Sequence, residues 1–391
     1  MRIGIYGGTF NPVHTGHVSA ARSAVTALGL SKLLMIPTFI SPHKPLPEGS
    51  PTAQQRLEIL RSSVLCEDKI EVSDLELRRG GPSYTYETVL QLRQEYPDAE
   101  LVLLMGTDMF LTFHTWRHPE KILNDASLGV FYRGLRDEKA AIEKQKTFLE
   151  EQGATVYLVE NGITEISSTN LRRMLVFGCA DRFLPPEAAA YIREHGLYGT
   201  NADLHGLSED RLQQTVVGLL KPNRVAHVLA CKETAVALAQ HWGADPTDAA
   251  RAGLLHDITK ALDGPLQLNL CQAYDITLSE FSKENTKTLH ALTGSLVAER
   301  IFGENQAVVS AIRSHTTGKA NMNLLEKIIY VADYMEPNRD FPGVDRLRQL
   351  AFTDIDKALK LGLEMTLSML REQGREISQE SQQALAWLCQ K

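Results

Sequence analysis

Two groups of residues have the types and the spacing for chemistry. The first is the run Gly7-Gly8-Thr9-Phe10-Asn11-Pro12-Val13-His14-Thr15-Gly16-His17. Glycines there let a phosphate approach the backbone. A helix opening at this point offers unpaired N–H groups and the positive end of its dipole. His14 and His17 stand one helical turn apart, so both imidazoles can meet the same phosphate. A glycine-rich turn with two surface histidines is the plainer alternative, and the H-x-G-H string after strand-Gly-Gly weighs against it. The second group begins with Leu254-Leu255-His256-Asp257-Ile258-Thr259-Lys260. Arg224-x-x-His227 precedes it, and His290, His315 and Asp333 follow. Adjacent side chains on a helix diverge by about 100°, yet both can reach a metal near the axis of a helical bundle. A lone His-Asp pair is weak evidence. An ordered series of imidazoles and carboxylates on separate helices is a mixed N/O donor set. It suits iron, manganese, cobalt or zinc rather than calcium.

Different elements must position the two groups. In the first half, strand-like runs at Arg2–Tyr6, Leu33–Ile36, Lys69–Val72, Leu101–Leu104, Leu128–Tyr132 and Val156–Val159 alternate with helical periodicity. Thr52-x-x-Gln55 is a capping box that opens a helix running to Leu65, and Arg136–Gln152 reads as a helix closed by Gly153. Ser41–Pro51, with four prolines, is a loop. Such alternation predicts a Rossmann-like α/β domain around a parallel sheet, in which ligands bind beyond the strand C-termini. From about Ser208 onward only helical periodicity remains, broken at Gly243, Gly264, Gly303 and Gly343. That half reads as an all-α domain. The join falls in the polar stretch Tyr198–Ser208, giving domains at about 1–200 and 201–391.

Composition fits two such domains. The chain has 391 residues, 43% hydrophobic and 23% charged, enough for a full core in each half. The net charge of −7 disfavours nonspecific nucleic-acid binding, which needs a basic surface. Five widely spaced cysteines without C-x-x-C spacing argue against a disulfide framework or a zinc knuckle. No stretch approaches the roughly 18 apolar residues of a membrane span, and the N-terminus lacks a signal-peptide pattern. These features predict a soluble, reduced, cytoplasmic protein with no membrane or nucleic-acid partner. They leave homo-oligomer formation open.

The H-x-G-H run resembles the signature of the nucleotidyltransferase superfamily, and Ile166-Ser167-Ser168-Thr169-Asn170-Leu171-Arg172 resembles its second signature. Physically, a Ser-Ser-Thr helix start with Arg172 one turn on is another anion cradle. Two cradles facing one triphosphate can hold it while its α-phosphorus is attacked. Within the superfamily the chain is most similar to nicotinate-mononucleotide adenylyltransferases over about residues 1–197. Pro42-His43-Lys44, Ser83-Tyr84-Thr85-Tyr86, and Gly106-Thr107-Asp108 followed by Trp116 carry that likeness. It implies transfer of AMP from ATP to nicotinate mononucleotide, giving deamido-NAD and pyrophosphate, with Mg²⁺ accompanying ATP. It implies an ATP site at Gly7, Gly8, Thr9, Phe10, His14, His17, Asp108, Ser168, Thr169 and Arg172, with His14, His17 and Arg172 acting in catalysis. Lys44, Thr85 and Trp116 would meet the mononucleotide; Trp116 is alternatively a core tryptophan. The family's usual Asp after Phe10 is Asn11 here, which removes a charge and keeps an acceptor. No protein nucleophile is needed, because the mononucleotide phosphate attacks directly and the protein positions and stabilises charge.

The second group resembles the HD-domain phosphohydrolases, in which His227, His256, Asp257 and Asp333 match the defining metal ligands. His290 and His315 match the histidines of a second metal in some members. A narrower resemblance, over about residues 210–391, is to the bacterial YqeK-like proteins. Ala252–Asp257, Ala311–Gly318 and Glu326–Arg339 carry it. It implies symmetrical hydrolysis of diadenosine tetraphosphate to two ADP. Arg224, Lys260 and Arg339 either neutralise phosphate oxygens or are solvated surface cations, with Lys260 best placed for catalysis. The expectation is a bifunctional enzyme; the alternative is an adenylyltransferase joined to a non-catalytic, nucleotide-sensing HD module.

Overall fold

The computed structural model describes residues 1–42, 45–132, 136–162 and 166–390. They form two compact units, Met1–Ala202 and Asp203–Lys391.

The first unit is built on six parallel strands: β1 (Arg2–Gly8), β2 (Lys32–Pro37), β3 (Ile70–Val72), β4 (Glu100–Gly106), β5 (Ala126–Tyr132) and β6 (Val156–Glu160). Their order is β3-β2-β1-β4-β5-β6. Each strand falls within about two residues of its expected position; the central ones, β1, β2, β4 and β5, are apolar runs buried on both faces. In β4, Leu101 to Met105 are all buried. One sheet face, including Ile3, Ile5, Leu103 and Val130, packs against Val89, Phe110 and Phe113. The helices are α1 (Thr15–Ala27), α2 (Ala53–Ser63), α3 (Leu75–Arg79), α4 (Thr85–Glu95), α5 (Thr107–Leu111), α6 (Pro119–Asp125), α7 (Arg136–Glu150), α8 (Ser168–Val176) and α9 (Pro186–Glu194). The Thr52–Gln55 capping box opens α2 as expected. Strand β1 lies between β2 and β4, with Ile3 opposite both Lys32 and Leu101. The chain order reverses across the β1–β4 pair, which opens a crevice beyond Gly8 and Gly106.

The second unit is helical: α10 (Glu209–Leu219), α11 (Pro222–Trp242), α12 (Pro246–Leu255), α13 (Gly264–Ala273), α14 (Glu280–Glu284), α15 (Leu289–Arg300), α16 (Gln306–Ser314), α17 (Leu324–Met335), α18 (Val344–Ala351), α19 (Ile355–Glu372) and α20 (Gln379–Leu388). Gly243 ends α11 in the left-handed region, φ 77°. Helices α11 and α12 meet backbone to backbone at Gly253, where an added Cβ would lie 2.8 Å from Lys232 Cα. That close approach brings the start of α11 against the end of α12. Among the described residues no helix is long and apolar enough to cross a membrane.

Candidate active sites

In the first unit the crevice is a cavity of about 430 Å³. His14, His17, Asp108 and Ser168 share its wall with Tyr6 and Phe131. His14 is the N-cap of α1, and its backbone N–H donates to His17 Nδ1 at 3.2 Å. A neutral His17 that accepts at Nδ1 carries its proton on Nε2, so it is a donor. The two imidazole centroids are 3.7 Å apart. Burial pushes His14 down to about 4, and burial with the adjacent His14 pushes His17 well below the usual histidine range. Both rings are therefore neutral near pH 7. Phe10 has φ 44°, and its buried ring packs edge-on to Tyr6 and His17, leaving only its backbone for a ligand. At Gly7 a Cβ would meet nothing within 4 Å, so no packing of the protein requires glycine there.

The second cradle is tied to the first. Ser167 caps α8, accepting from the Asn170 N–H at 3.2 Å. Ser168 Oγ donates to Pro12 O at 2.9 Å. Arg172 donates to Asn11 O at 2.6 Å and to Thr169 Oγ1 at 3.1 Å. Thus Arg172 binds the Gly7–His17 loop itself, steadied by Thr169, and neither residue is on the cavity wall. Asn11 is buried, and its Nδ2 donates to Ser50 Oγ at 2.9 Å, while that hydroxyl donates to Pro47 O. An aspartate could not make the first of these bonds, which accounts locally for the amide.

Thr85 and Trp116 come together at a separate small pocket with Pro42, Tyr84 and Arg117. Trp116 is half-buried, 5.3 Å from Phe113 between ring centroids, so it serves core and pocket at once. Lys44 lies outside the described residues.

In the second unit all six expected ligands converge. Their atoms form two groups, His227–His256–Asp333 and Asp257–His290–His315, each within 4.8 Å. His227 Nε2 is 3.2 Å from His256 Nε2 and 3.1 Å from Asp333 Oδ1. Asp257 spans both groups: Oδ2 lies 3.7 Å from each of His227 and His256 Nε2, and Oδ1 lies 3.5 Å from His290 and 3.9 Å from His315 Nε2. The sequence reading treated His256 and Asp257 as neighbours on a helix. Helix α12 instead ends at Leu255, and the turn after it frees Asp257 to bridge.

The residues fit a metal. Each imidazole is held through Nδ1: His227 by Glu336 Oε1 at 3.0 Å, His256 by Gly253 O at 2.7 Å, His290 by Lys287 O at 2.9 Å and His315 by Ile312 O at 2.6 Å. That fixes the tautomer and points Nε2 lone pairs inward. Lone pairs this close repel one another unless a cation lies among them. Burial pushes His256 and His290 well below the usual range and His315 to about 4, which keeps them in the neutral, ligating form.

The three cations stand at the same centre. Arg224 pairs with Asp257. Arg339 donates to Asp333 Oδ1 at 2.7 Å. Lys260 brings Nζ to 2.9 Å from His290 Nε2, and desolvation around Nζ lowers it to about 8. None of the three is simply a solvated surface charge. Sequence reasoning missed Glu336, which is 1% exposed and accepts from His227, Asn338 N and Asn338 Nδ2. Its place as a carboxylate three residues after Asp333, just past the end of α17, was the available signal.

Comparison with known proteins gives a family match for each unit. A cytidylyltransferase-like family model matches residues 5–174, and an HD-domain model matches residues 224–338. A probable nicotinate-nucleotide adenylyltransferase of Idiomarina loihiensis is 32% identical over 206 residues, covering 50% of this chain and 98% of the relative. One from Geobacter metallireducens is 35% identical over 213 residues, covering 51% and 98%. A crystal structure from Clostridium acetobutylicum, titled a predicted HD superfamily hydrolase involved in NAD metabolism, is 36% identical with a TM-score of 0.46, covering 47% of this chain and 98% of its own. Half of the chain thus belongs to the nicotinate-nucleotide adenylyltransferase family, and a C-terminal HD domain is fused to it.

Proposed function

We propose that the first unit transfers AMP from ATP to nicotinate mononucleotide, releasing pyrophosphate and forming deamido-NAD. The observation that carries this is the cavity at the β1–β4 crevice, which gathers His14, His17, Asp108 and Ser168 beside a separate Thr85–Trp116 pocket. Two substrates need two subsites. The mononucleotide phosphate attacks the α-phosphorus in line, and pyrophosphate leaves toward the histidines. His17 Nε2–H donates to the oxygens where charge grows, and the N-terminus of α1 adds its dipole. Mg²⁺, accompanying the triphosphate, would offset its charge, with phosphates and water as its main ligands. His17→Ala should lower synthesis by on the order of a hundredfold, while the HD unit keeps its own activity. Near-normal synthesis by folded His17→Ala would remove that role.

For the second unit we propose a metal-dependent phosphohydrolase that splits diadenosine tetraphosphate into two ADP. The supporting observation is the complete N/O donor set with every Nδ1 anchored. His227, His256, Asp257 and Asp333 would hold a first transition metal, and Asp257, His290 and His315 a second, iron being favoured over manganese, cobalt or zinc. Such ions, when bound, lower the pKa of water and supply hydroxide near neutral pH. Arg224, Lys260 and Arg339 would turn toward bridging phosphates and offset their charge. A nucleotide-sensing module without turnover is the rival reading, and such a module has no use for so complete a donor set. Metal analysis combined with ADP release from diadenosine tetraphosphate by the purified chain decides between them. Bound metal without ADP release favours the sensor.

A further inference from the structure

Arg56, near the start of α2, is 1% exposed and belongs to neither group of residues singled out for chemistry. Its guanidinium donates to Thr9 O at 2.6 Å through one nitrogen, and to Thr38 O at 2.6 Å and Phe39 O at 3.2 Å through the other. Among the described residues no carboxylate pairs with it. Burying a cation without an anion is costly, and an apolar side chain of similar size would fill the space at lower cost. What the guanidinium does, and an apolar group could not, is fasten two loops to each other.

Those loops lead to different pockets. Thr9 belongs to the run from Gly7 to His17 at the triphosphate cradle. Thr38 and Phe39 follow β2 and lead to Pro42, on the wall of the Thr85–Trp116 pocket. The connection continues beyond Arg56. Thr38 N–H donates to Gly8 O at 2.9 Å. Phe39 N–H donates to Ser83 Oγ at 3.0 Å, and Ser83 N–H returns to Ile40 O at 2.9 Å. Two residues later Thr85 opens α4 and faces the pocket. A continuous set of bonds therefore runs from Thr9 through Arg56, Phe39 and Ser83 to Thr85.

We propose that Arg56 is a positioning residue that couples the triphosphate and mononucleotide subsites, so that filling one shapes the other. The proposal rests on the adenylyltransferase reading above. A planar fork presents two nitrogens at a fixed separation and so sets the geometry between the two loops; an ammonium offers one freely rotating nitrogen, which does not hold the loops in register even where it reaches both. Arg56→Lys should therefore keep the charge and lose the coupling.

The test is equilibrium binding of α,β-methylene-ATP to the full chain, with and without saturating nicotinate mononucleotide, a measurement that needs no turnover. In the wild type the mononucleotide should tighten the analogue by about tenfold, within the usual range of coupling between sites. In Arg56→Lys the ratio should fall to about one. Ser83→Ala, which cuts the same path with a small change, should lower it as well. Circular dichroism and thermal melting establish folding, and if Arg56→Lys does not fold, Ser83→Ala alone decides. A folded Arg56→Lys with the wild-type ratio overturns the proposal, as does a wild type with no coupling. A wild type that makes no dinucleotide removes the underlying reading and the proposal with it. That failure is distinguishable because it is read from dinucleotide formation, whereas coupling is read from binding of the analogue.

Discussion

Glu336 offers a sharp test of the metal centre, because its two oxygens have different duties. Oε1 accepts from His227 Nδ1 at 3.0 Å, and Oε2 accepts from Asn338 N at 2.7 Å and Asn338 Nδ2 at 2.9 Å. In Glu336→Gln one oxygen becomes an NH₂ group of nearly the same size. If the NH₂ faces His227, Nδ1 must become an acceptor, the proton moves to Nε2, and the lone pair that would bind metal is gone. If it faces Asn338, two donors meet two donors at 1% exposure. Neither orientation satisfies all three bonds. The loss of one hydrogen bond to a carboxylate is about 1.5–3 kcal/mol. Outer partners of metal-binding histidines typically change metal affinity by about 10–100-fold, or ~1.4–2.7 kcal/mol. The two figures agree, so a rise in Kd of about that size is expected.

The assay is a competition titration of the full-length protein with a chromophoric chelator, using Fe²⁺ under anaerobic conditions and Mn²⁺ in parallel. Dinucleotide synthesis on the same preparation reports whether the first unit is intact. Unchanged metal affinity in folded Glu336→Gln would refute the claim that Glu336 sets the tautomer of His227, and would leave His227 doubtful as a ligand.

Three further outcomes follow from particular contacts. Gly253→Ala places a Cβ 2.8 Å from Lys232 Cα, a backbone atom that cannot swing aside; α12 should shift from α11, lowering stability by about 1–3 kcal/mol and weakening metal binding, as thermal melting and elemental analysis would show. Arg172→Lys should impair synthesis despite its retained charge, because Asn11 O and Thr169 Oγ1 are met by two different nitrogens of a rigid fork, which a single rotating ammonium does not reproduce; wild-type turnover and KM for ATP would contradict this. The third concerns pH: burial holds His14 at about 4 in the folded state, so below the usual value near 6.5 the unfolded chain binds the extra proton. Its contribution, up to about 3 kcal/mol, is present above pH 6.5 and lost as pH falls toward 4. Melting of the first unit should be less acid-sensitive in His14→Gln, and equal sensitivity would show that His14 is not the group responsible.

The parts of this molecule that were legible in the sequence share a physical property: they are local or periodic. The central strands are legible as apolar runs, and α2 through its Thr52–Gln55 cap. The ligand histidines stood out because imidazoles and carboxylates recur on otherwise apolar helices. What stayed hidden depends on contacts between segments far apart in the chain. Arg56 is an arginine on an ordinary helix until Thr9, 47 residues away, and Thr38, 18 residues away, are seen to use it. Glu336 becomes informative only once His227, 109 residues away, is seen to lean on it.

The same distinction explains why the bonds of Arg172, Arg224 and Arg339 were not legible in the sequence. A cation near a phosphate site is expected to wait for phosphate. Here each is already engaged, Arg172 with the carbonyl of Asn11, Arg224 with Asp257 and Arg339 with Asp333. A cation left unpaired in a partly buried cleft would itself be costly. Partnering it within the protein lowers that cost and holds the side chain near where an anionic ligand can take it over. On the proposed reading, binding would be an exchange of partners, its strength set by how much better a polyphosphate satisfies these guanidinium groups than a carbonyl or a carboxylate does. At the first site the present partner is neutral and the exchange should be favourable. At the second the partners are carboxylates that bound metal would also claim, so metal binding and release of the arginines toward phosphate should proceed together.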